Sequence, residues 1–409
     1  MATRAKGTRP LVISDPTLMV RRANERLVMM RERKEVAAVP LRDIAHVALH
    51  GPVTVTGAAM AGILDEGIEV TLYSTAGFFR GLITSAQSKN VYLMLAQVDA
   101  WKRDERRLAF ARSLLAGKIA GQRAMVHRHA LDRGSAGCRE AASRLKELER
   151  AVAAETDVDG ARGVEGAAAA QYFNVFGEML SEPWVWEGRR HRPAPDPVNA
   201  ALSFGYALAT GEMTRTLVVN GFDTRVGLVH GLRYGRESLA LDLVEEFRAP
   251  LVDRFVLRML NRKQLTPESF EAHEGGSVRF TSAGKRTFLE AWEEMMGASA
   301  PALRNEQVVP GDRERAEAQR IERPWDEVDG KGGRKEREED REDDREHAEE
   351  GGRGTATWRG RMGRQVQRLR RFLMRGEPYL PMTTSERSGK KGGGGSQRRP
   401  GPDNLPEEP

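Results

Sequence analysis

The chain has 409 residues, 65 Lys plus Arg against 59 Asp plus Glu, 39% apolar residues and one cysteine, enough for two or three domains with a true core. The lone Cys138 excludes an internal disulfide or a cysteine-built zinc site. No run approaches the ~18 apolar residues of a membrane span and none reads as a secretory leader, so no membrane association and a cytoplasmic setting are expected.

The formal net charge of +6 averages two opposite blocks. Glu336 to Glu350 holds ten acids and three arginines, net −7, whereas Arg359 to Arg375 holds seven arginines and no acid. Without the acidic run the rest of the chain carries +13, which makes a polyanion a natural partner.

The first part reads as strands. Leu11–Ile13, Thr17–Val20, Arg26–Met30, Val36–Pro40, Ile44–Leu49 and Val53–Thr56 are short apolar or β-branched runs between turn residues. Gly57 to Glu66 predicts a short helix, Ile68–Tyr73 a strand, and Gly77–Ile83 a turn into another. From about residue 90 the period becomes helical: Leu93, Val98, Trp101, Leu108, Leu115 and Ile119 recur in a stretch without proline until Pro183. Lys102, Arg103, Arg106, Arg107, Arg112, Lys118, Arg123 and Arg128 decorate it, as a solvated helix face or as a phosphate-contacting one. Glu155 to Gly163 predicts a linker, followed by helices over Val164–Leu180, Pro197–Asn220 and Ser238–Asn261. The expected fold is α+β, with an N-terminal β domain (1–89) and an all-helical domain (90–305). The charged, glycine-rich 306–357 cannot bury enough surface to order itself. An arginine-rich amphipathic helix that docks on the body (358–382) and a flexible tail (383–409) complete the chain.

Three places could carry chemistry. Glu165 lies in Gly163-Val-Glu-Gly166 at the start of a small-residue helix, either as a favourable partner of the helix dipole or as a functional carboxylate. His230 lies in Gly227-Leu-Val-His-Gly231, as a structural imidazole or a ligand. On the helix from Ser238, Leu239, Leu243, Val244 and Phe247 form one apolar arc, and Asp242, Glu245 and Glu246 gather opposite, facing solvent or a cavity. One histidine with several carboxylates suits Mg²⁺ or Mn²⁺ rather than structural zinc. A hard cation on a basic chain points to an enzyme acting on nucleic acid.

Asp196-Pro-Val-Asn-Ala-Ala-Leu-Ser-Phe-Gly-Tyr206, Gly227-Leu-Val-His-Gly231 and Gly235-Arg-Glu-Ser-Leu-Ala-Leu-Asp-Leu-Val-Glu-Glu-Phe-Arg248, with Gly163-Val-Glu-Gly166, Tyr172-Phe173 and Asp253-Arg254, resemble the CRISPR-associated protein one family of spacer-acquisition endonucleases and integrases. The likeness runs colinearly from about Leu11 to Ala302. It implies a metal site of Glu165, His230 and Glu245 that is also catalytic, with Asp242 as an additional ligand or supporting group. It further implies a homodimer joined through the β domains, and two such dimers bridged by a small ferredoxin-like adaptation protein into a hetero-hexameric complex. The implied reaction is attack of a captured fragment's 3′-hydroxyl on a repeat phosphodiester, and the same site would cleave double-stranded or branched DNA. The acidic run and the tail after Met382 have no counterpart in the family. Rival readings are a non-catalytic DNA-binding scaffold and a transposase-like integrase outside CRISPR.

Overall fold

The computed structural model describes residues 9–84, 91–190, 193–297 and 357–382. Nearly all of the charged segment 306–357, and the tail 383–409, lie outside them. Eight strands precede the helices: β1 (Arg9–Ile13), β2 (Met19–Ala23), β3 (Arg26–Arg31), β4 (Lys34–Pro40), β5 (Ile44–His50), β6 (Thr54–Val55), β7 (Glu69–Tyr73) and β8 (Phe79–Ile83), with helix α1 (Gly57–Asp65) between β6 and β7. They form two four-stranded sheets of order β1-β5-β7-β8 and β4-β3-β2-β6. Alternation sends Val20, Leu27, Met29, Val47 and Val70 inward, where Ile63 of α1 meets them in one apolar core. At the β3–β4 hairpin Glu32 and Arg33 take positive φ, 48° and 68°, as a two-residue turn matched to strand twist requires.

The helical region is built on α3 (Asp104–Arg133), preceded by α2 (Val91–Lys102) and followed by α4 (Ala136–Ala154), α5 (Val158–Asn174), α6 (Pro197–Val219), α7 (Ser238–Phe247) and α8 (Arg254–Asn261). Side-chain caps explain the starts: Ser135 accepts from Cys138 N, Asp157 from Gly160 N and Asp196 from Asn199 N, the last with Pro197 in the first turn. The expected linker over Glu155–Gly163 is therefore mostly helix. Asp157 starts α5 at Val158 despite Gly160 and Gly163.

The expected helix Ser238–Asn261 is interrupted by a widened π-type stretch, Arg248–Asp253. Pro250 lacks an N–H and its ring would press on the preceding turn, so the backbone opens there. A hairpin of β9 (Phe270–His273) and β10 (Ser277–Phe280) and helix α9 (Ser282–Gly297) follow.

Helix α10 (Trp358–Arg375) ends at Gly376, in the left-handed conformation, so the expected helix to Met382 stops short and its last residues run extended. Its arc of Trp358, Met362, Val366, Leu369, Phe372 and Leu373 is buried in the core of the helical region, as are Tyr379 and Met382. Partly buried ion pairs tie the parts together: Arg359 of α10 to Glu212 (3.0 Å) and Glu293 (2.6 Å), and Arg215 of α6 to Glu69 of β7 (2.7 Å). No helix among the described residues is long and apolar enough to cross a membrane.

Candidate metal centre

The centre is assembled where α3, α5, α7 and the loop before α7 meet. Asp242, Glu245 and Glu246 of α7 are all buried, at 0%, 4% and 1% exposure, so the side of α7 opposite its apolar arc faces protein and not solvent. Each carboxylate has a different partner.

Asp242 is spent on the loop that carries His230. Its Oδ2 accepts from Leu228 N (2.7 Å) and Val229 N (3.0 Å), and its Oδ1 accepts from His230 N (2.8 Å) and from His230 Nδ1 (2.6 Å). In the neutral imidazole that gives its Nδ1 proton to this carboxylate, Nε2 has its lone pair for a ligand. Gly227 is required here: a Cβ would lie 2.7 Å from Ser238 Cβ and 2.9 Å from Asp242 Oδ2. The loop is also held from below, by Gln97 of α2 donating to Asp223 O and Val226 O and by Arg107 of α3 donating to Leu228 O.

Glu165 lies two turns into α5, not in its first turn, which removes the helix-dipole explanation for it. It meets Glu245 through Lys118 of α3. The Lys118 ammonium donates to Glu165 Oε1 and stands 2.6 Å from Glu245 Oε2. Glu245 Oε2 is thereby buried against the ammonium. Arg248 closes the other side, with Nη2 3.2 Å from Glu245 Oε1. Burial pushes the Glu245 carboxyl up, but Arg248 and Lys118 together pull it down to about 2.

Behind the centre, Arg248 stacks on the Tyr206 ring (4.9 Å to the centroid), which Arg189 also contacts at 5.3 Å. Tyr206 and Tyr172 donate to the two oxygens of buried Asp253, at 2.5 and 2.9 Å. Burial pushes the Asp253 carboxyl up to about 6. On the far side of α7, Glu246 accepts from Gln365 of α10, from Tyr379 Oη and from Met382 N (the last two at 3.3 Å). The chain after α10 also packs on α3: a Cβ at Gly117 would lie 2.5 Å from Pro381.

The four residues expected from sequence thus fall into two pairs, Asp242 beneath His230 and Glu165 facing Glu245 across Lys118, with Asp242 and Glu245 one turn apart on α7. Among the described residues no three His, Cys, Asp or Glu side chains close around a single point in this arrangement. A hard cation nonetheless fits the donors: two carboxylates, an imidazole held by Asp242, and a positive charge already seated between the carboxylates.

The sequence reading missed Lys118 and Arg248. It placed Lys118 among basic residues of a solvated or phosphate-contacting face, yet only Lys102 and Arg128 of that set are exposed. Arg103 pairs with Asp99, Arg123 with Glu149, and Arg112 donates to Glu155 O, while Arg106 and Lys118 are buried. No local signal separates Lys118 from its neighbours. The buried helical phase it shares with Leu114, Leu115 and Gly121 is the one clue.

Comparisons with known proteins agree with this architecture. The family described as CRISPR associated protein Cas1 matches residues 11–294. The CRISPR-associated endonuclease Cas1 2 of Rhodospirillum rubrum is 36% identical over 286 residues, 67% of this chain and 82% of that protein. The CRISPR-associated endonuclease Cas1 3 of Thermus thermophilus is 36% identical over 277 residues, 68% of this chain and 79% of that one. The fold is shared with a Cas1 protein from Thermotoga maritima (TM-score 0.65, 18% identity, 91% of this chain and 99% of that chain) and with a casposase bound to integration product (TM-score 0.68, 18% identity, 92% and 94%). The chain belongs to the Cas1 family of CRISPR-associated endonucleases.

Proposed function

We propose that the protein is a metal-dependent DNA endonuclease and integrase of CRISPR spacer acquisition, with Glu165, His230 and Glu245 holding one Mg²⁺ or Mn²⁺ and Asp242 supporting it. What supports this is that Lys118 bridges Glu165 of α5 and Glu245 of α7, while Asp242, one turn before Glu245 on α7, holds His230. A bound divalent ion supplies charge neutralisation at the scissile phosphate and a lowered pKa for the attacking hydroxyl, a DNA 3′-hydroxyl in integration and water in cleavage.

The chain's own groups do the rest. Asp242 holds the His230 ring by Nδ1, and Glu165 and His230 are each about a quarter exposed. Glu245 forms the buried floor. Arg248, clamped between Glu245 and the Tyr206 ring, keeps the Glu245 carboxylate ionised and in one orientation. The cations beside the carboxylates offset the negative charge of an arriving DNA strand.

We also assign double-stranded and branched DNA as substrates, the cytoplasm as the compartment, a homodimer joined through residues 1–89, and a small ferredoxin-like adaptation protein bridging two dimers. Family membership supports these assignments. For the dimer, Met19 of β2 and Val36 of edge strand β4 leave apolar surface at 43% and 48% exposure.

The test is strand cleavage and 3′-end joining by purified protein in Mn²⁺ and in EDTA. Glu165→Ala, His230→Ala and Glu245→Gln are each expected to lose at least about 10³-fold in rate while retaining the wild-type circular dichroism spectrum. Salt-sensitive DNA binding without metal-dependent breakage would instead identify a scaffold.

A further inference from the structure

Lys118 has a place in the centre that no expectation assigned. Its ammonium touches Glu165 and lies 2.6 Å from Glu245, two side chains that the chain brings from α5 and α7. The residue is 8% exposed. Two carboxylates this close repel, and burial makes the repulsion costlier, so in the absence of a cation one of them would have to take up a proton or move. A lysine answers that problem: a compact charge on a flexible four-carbon stem, with three donors that can turn. The backbone beneath it is closely packed, because a Cβ on Gly117 would sit 2.5 Å from Pro381. Only the side chain is free to leave.

We propose that Lys118 is a displaceable internal counter-ion: it holds the Glu165 and Glu245 carboxylates in place before metal binds, and the divalent cation takes over by turning the ammonium out. This rests on the metal-site reading above. No covalent bond is made or broken. The exchange makes metal affinity a competition, since a +2 ion must expel or sit beside a +1 charge at a few ångströms. The displaced ammonium stays tethered at the centre and is then available to the DNA phosphate. Lys118 is therefore a positioning residue whose removal strengthens metal binding while weakening the metal-free protein.

The test uses the full chain and Mn²⁺ alone, titrated by calorimetry, with melting temperatures in EDTA and in saturating Mn²⁺ for wild type, Lys118→Met, Lys118→Arg and Glu245→Gln. Lys118→Met is expected to bind Mn²⁺ at least about tenfold tighter than wild type. It should also melt lower in EDTA and gain more from Mn²⁺. Lys118→Arg, which keeps a charge with a stiffer head, is expected to bind no tighter than wild type. Unchanged or weaker Mn²⁺ binding by Lys118→Met, with binding lost in Glu245→Gln, overturns the counter-ion role and leaves the metal site standing. Mn²⁺ binding that Glu245→Gln does not alter overturns the site reading, and this inference with it. If Lys118→Met is unfolded in EDTA, recovery of its helical signal on adding Mn²⁺ supports the exchange, and failure to fold in either condition overturns it.

Discussion

The core between the two N-terminal sheets and the interior around α3 and α7 bury different kinds of side chain. Between the N-terminal sheets the core is apolar, with Ile13, Val20, Leu27, Val47, Ile63 and Val70 meeting from both layers and α1. Around α3 and α7 the interior also holds Lys118, Asp242, Glu245, Glu246 and Asp253, with Gln365 from α10 against them. Apolar burial stabilises wherever shape allows, so the first core tolerates rearrangement. Buried charges stabilise only when every partner is present, so the second interior fixes positions at a cost in stability. One region is built to hold a shape, the other to hold a set of charges ready.

That contrast is broken most sharply at Asp242. Asp242→Ala leaves three loop N–H groups and His230 without their acceptor, and a loss of roughly 3–5 kcal/mol together with Mn²⁺ binding is expected from denaturant titration and calorimetry. Asp242→Asn, which keeps the shape, should fold but bind Mn²⁺ about 10–100-fold more weakly, because the imidazole loses its carboxylate partner. In the β region, Leu27→Ala should cost about 3 kcal/mol by cavity formation yet leave the Mn²⁺ affinity of the folded protein unchanged. A loss of Mn²⁺ binding in Leu27→Ala at temperatures where it is folded would show that the two regions are not separable in this way.

A smaller effect is expected at Asp253, whose carboxyl is faced by Tyr172 of α5, Tyr206 of α6, Arg189 and Arg248. Burial raises its pKa from 3.8 to about 6. Over that interval the folded chain keeps a proton that the unfolded chain has released, so its contribution makes stability fall as pH rises from about 4 to 6 and stay level above. The drop amounts to about 2–3 kcal/mol. Asp253→Asn removes the titration, so urea midpoints measured from pH 4 to 7 should lose that part of the slope. An unchanged slope would mean that Asp253 is ionised throughout.

Much of this was legible in the sequence, for reasons that differ by residue. Strands such as Ile44–His50 and Glu69–Tyr73 announce themselves by β-branched runs between turns, and α10 by its apolar arc. Glu165, His230, Asp242 and Glu245 could be named because they sit in recognisable short motifs. The linker expected over Glu155–Gly163 was misread because its glycines look like punctuation, whereas the Asp157 cap and close packing on α3 and α4 carry the helix through them. The opening at Arg248–Asp253 depends on how Pro250 is accommodated by its neighbours, and Lys118 acquires meaning only from partners 47 and 127 positions away. Neither is a property of local sequence.

The most direct measurement is the anomalous scattering of crystals grown with and without Mn²⁺. With Mn²⁺, a single peak is expected in contact with carboxylate oxygens of Glu165 and Glu245 and with Nε2 of His230, and the Lys118 ammonium should be turned away from both carboxylates. A saturating Mn²⁺ concentration that leaves Lys118 between Glu165 and Glu245, with no ion on His230, would contradict the account.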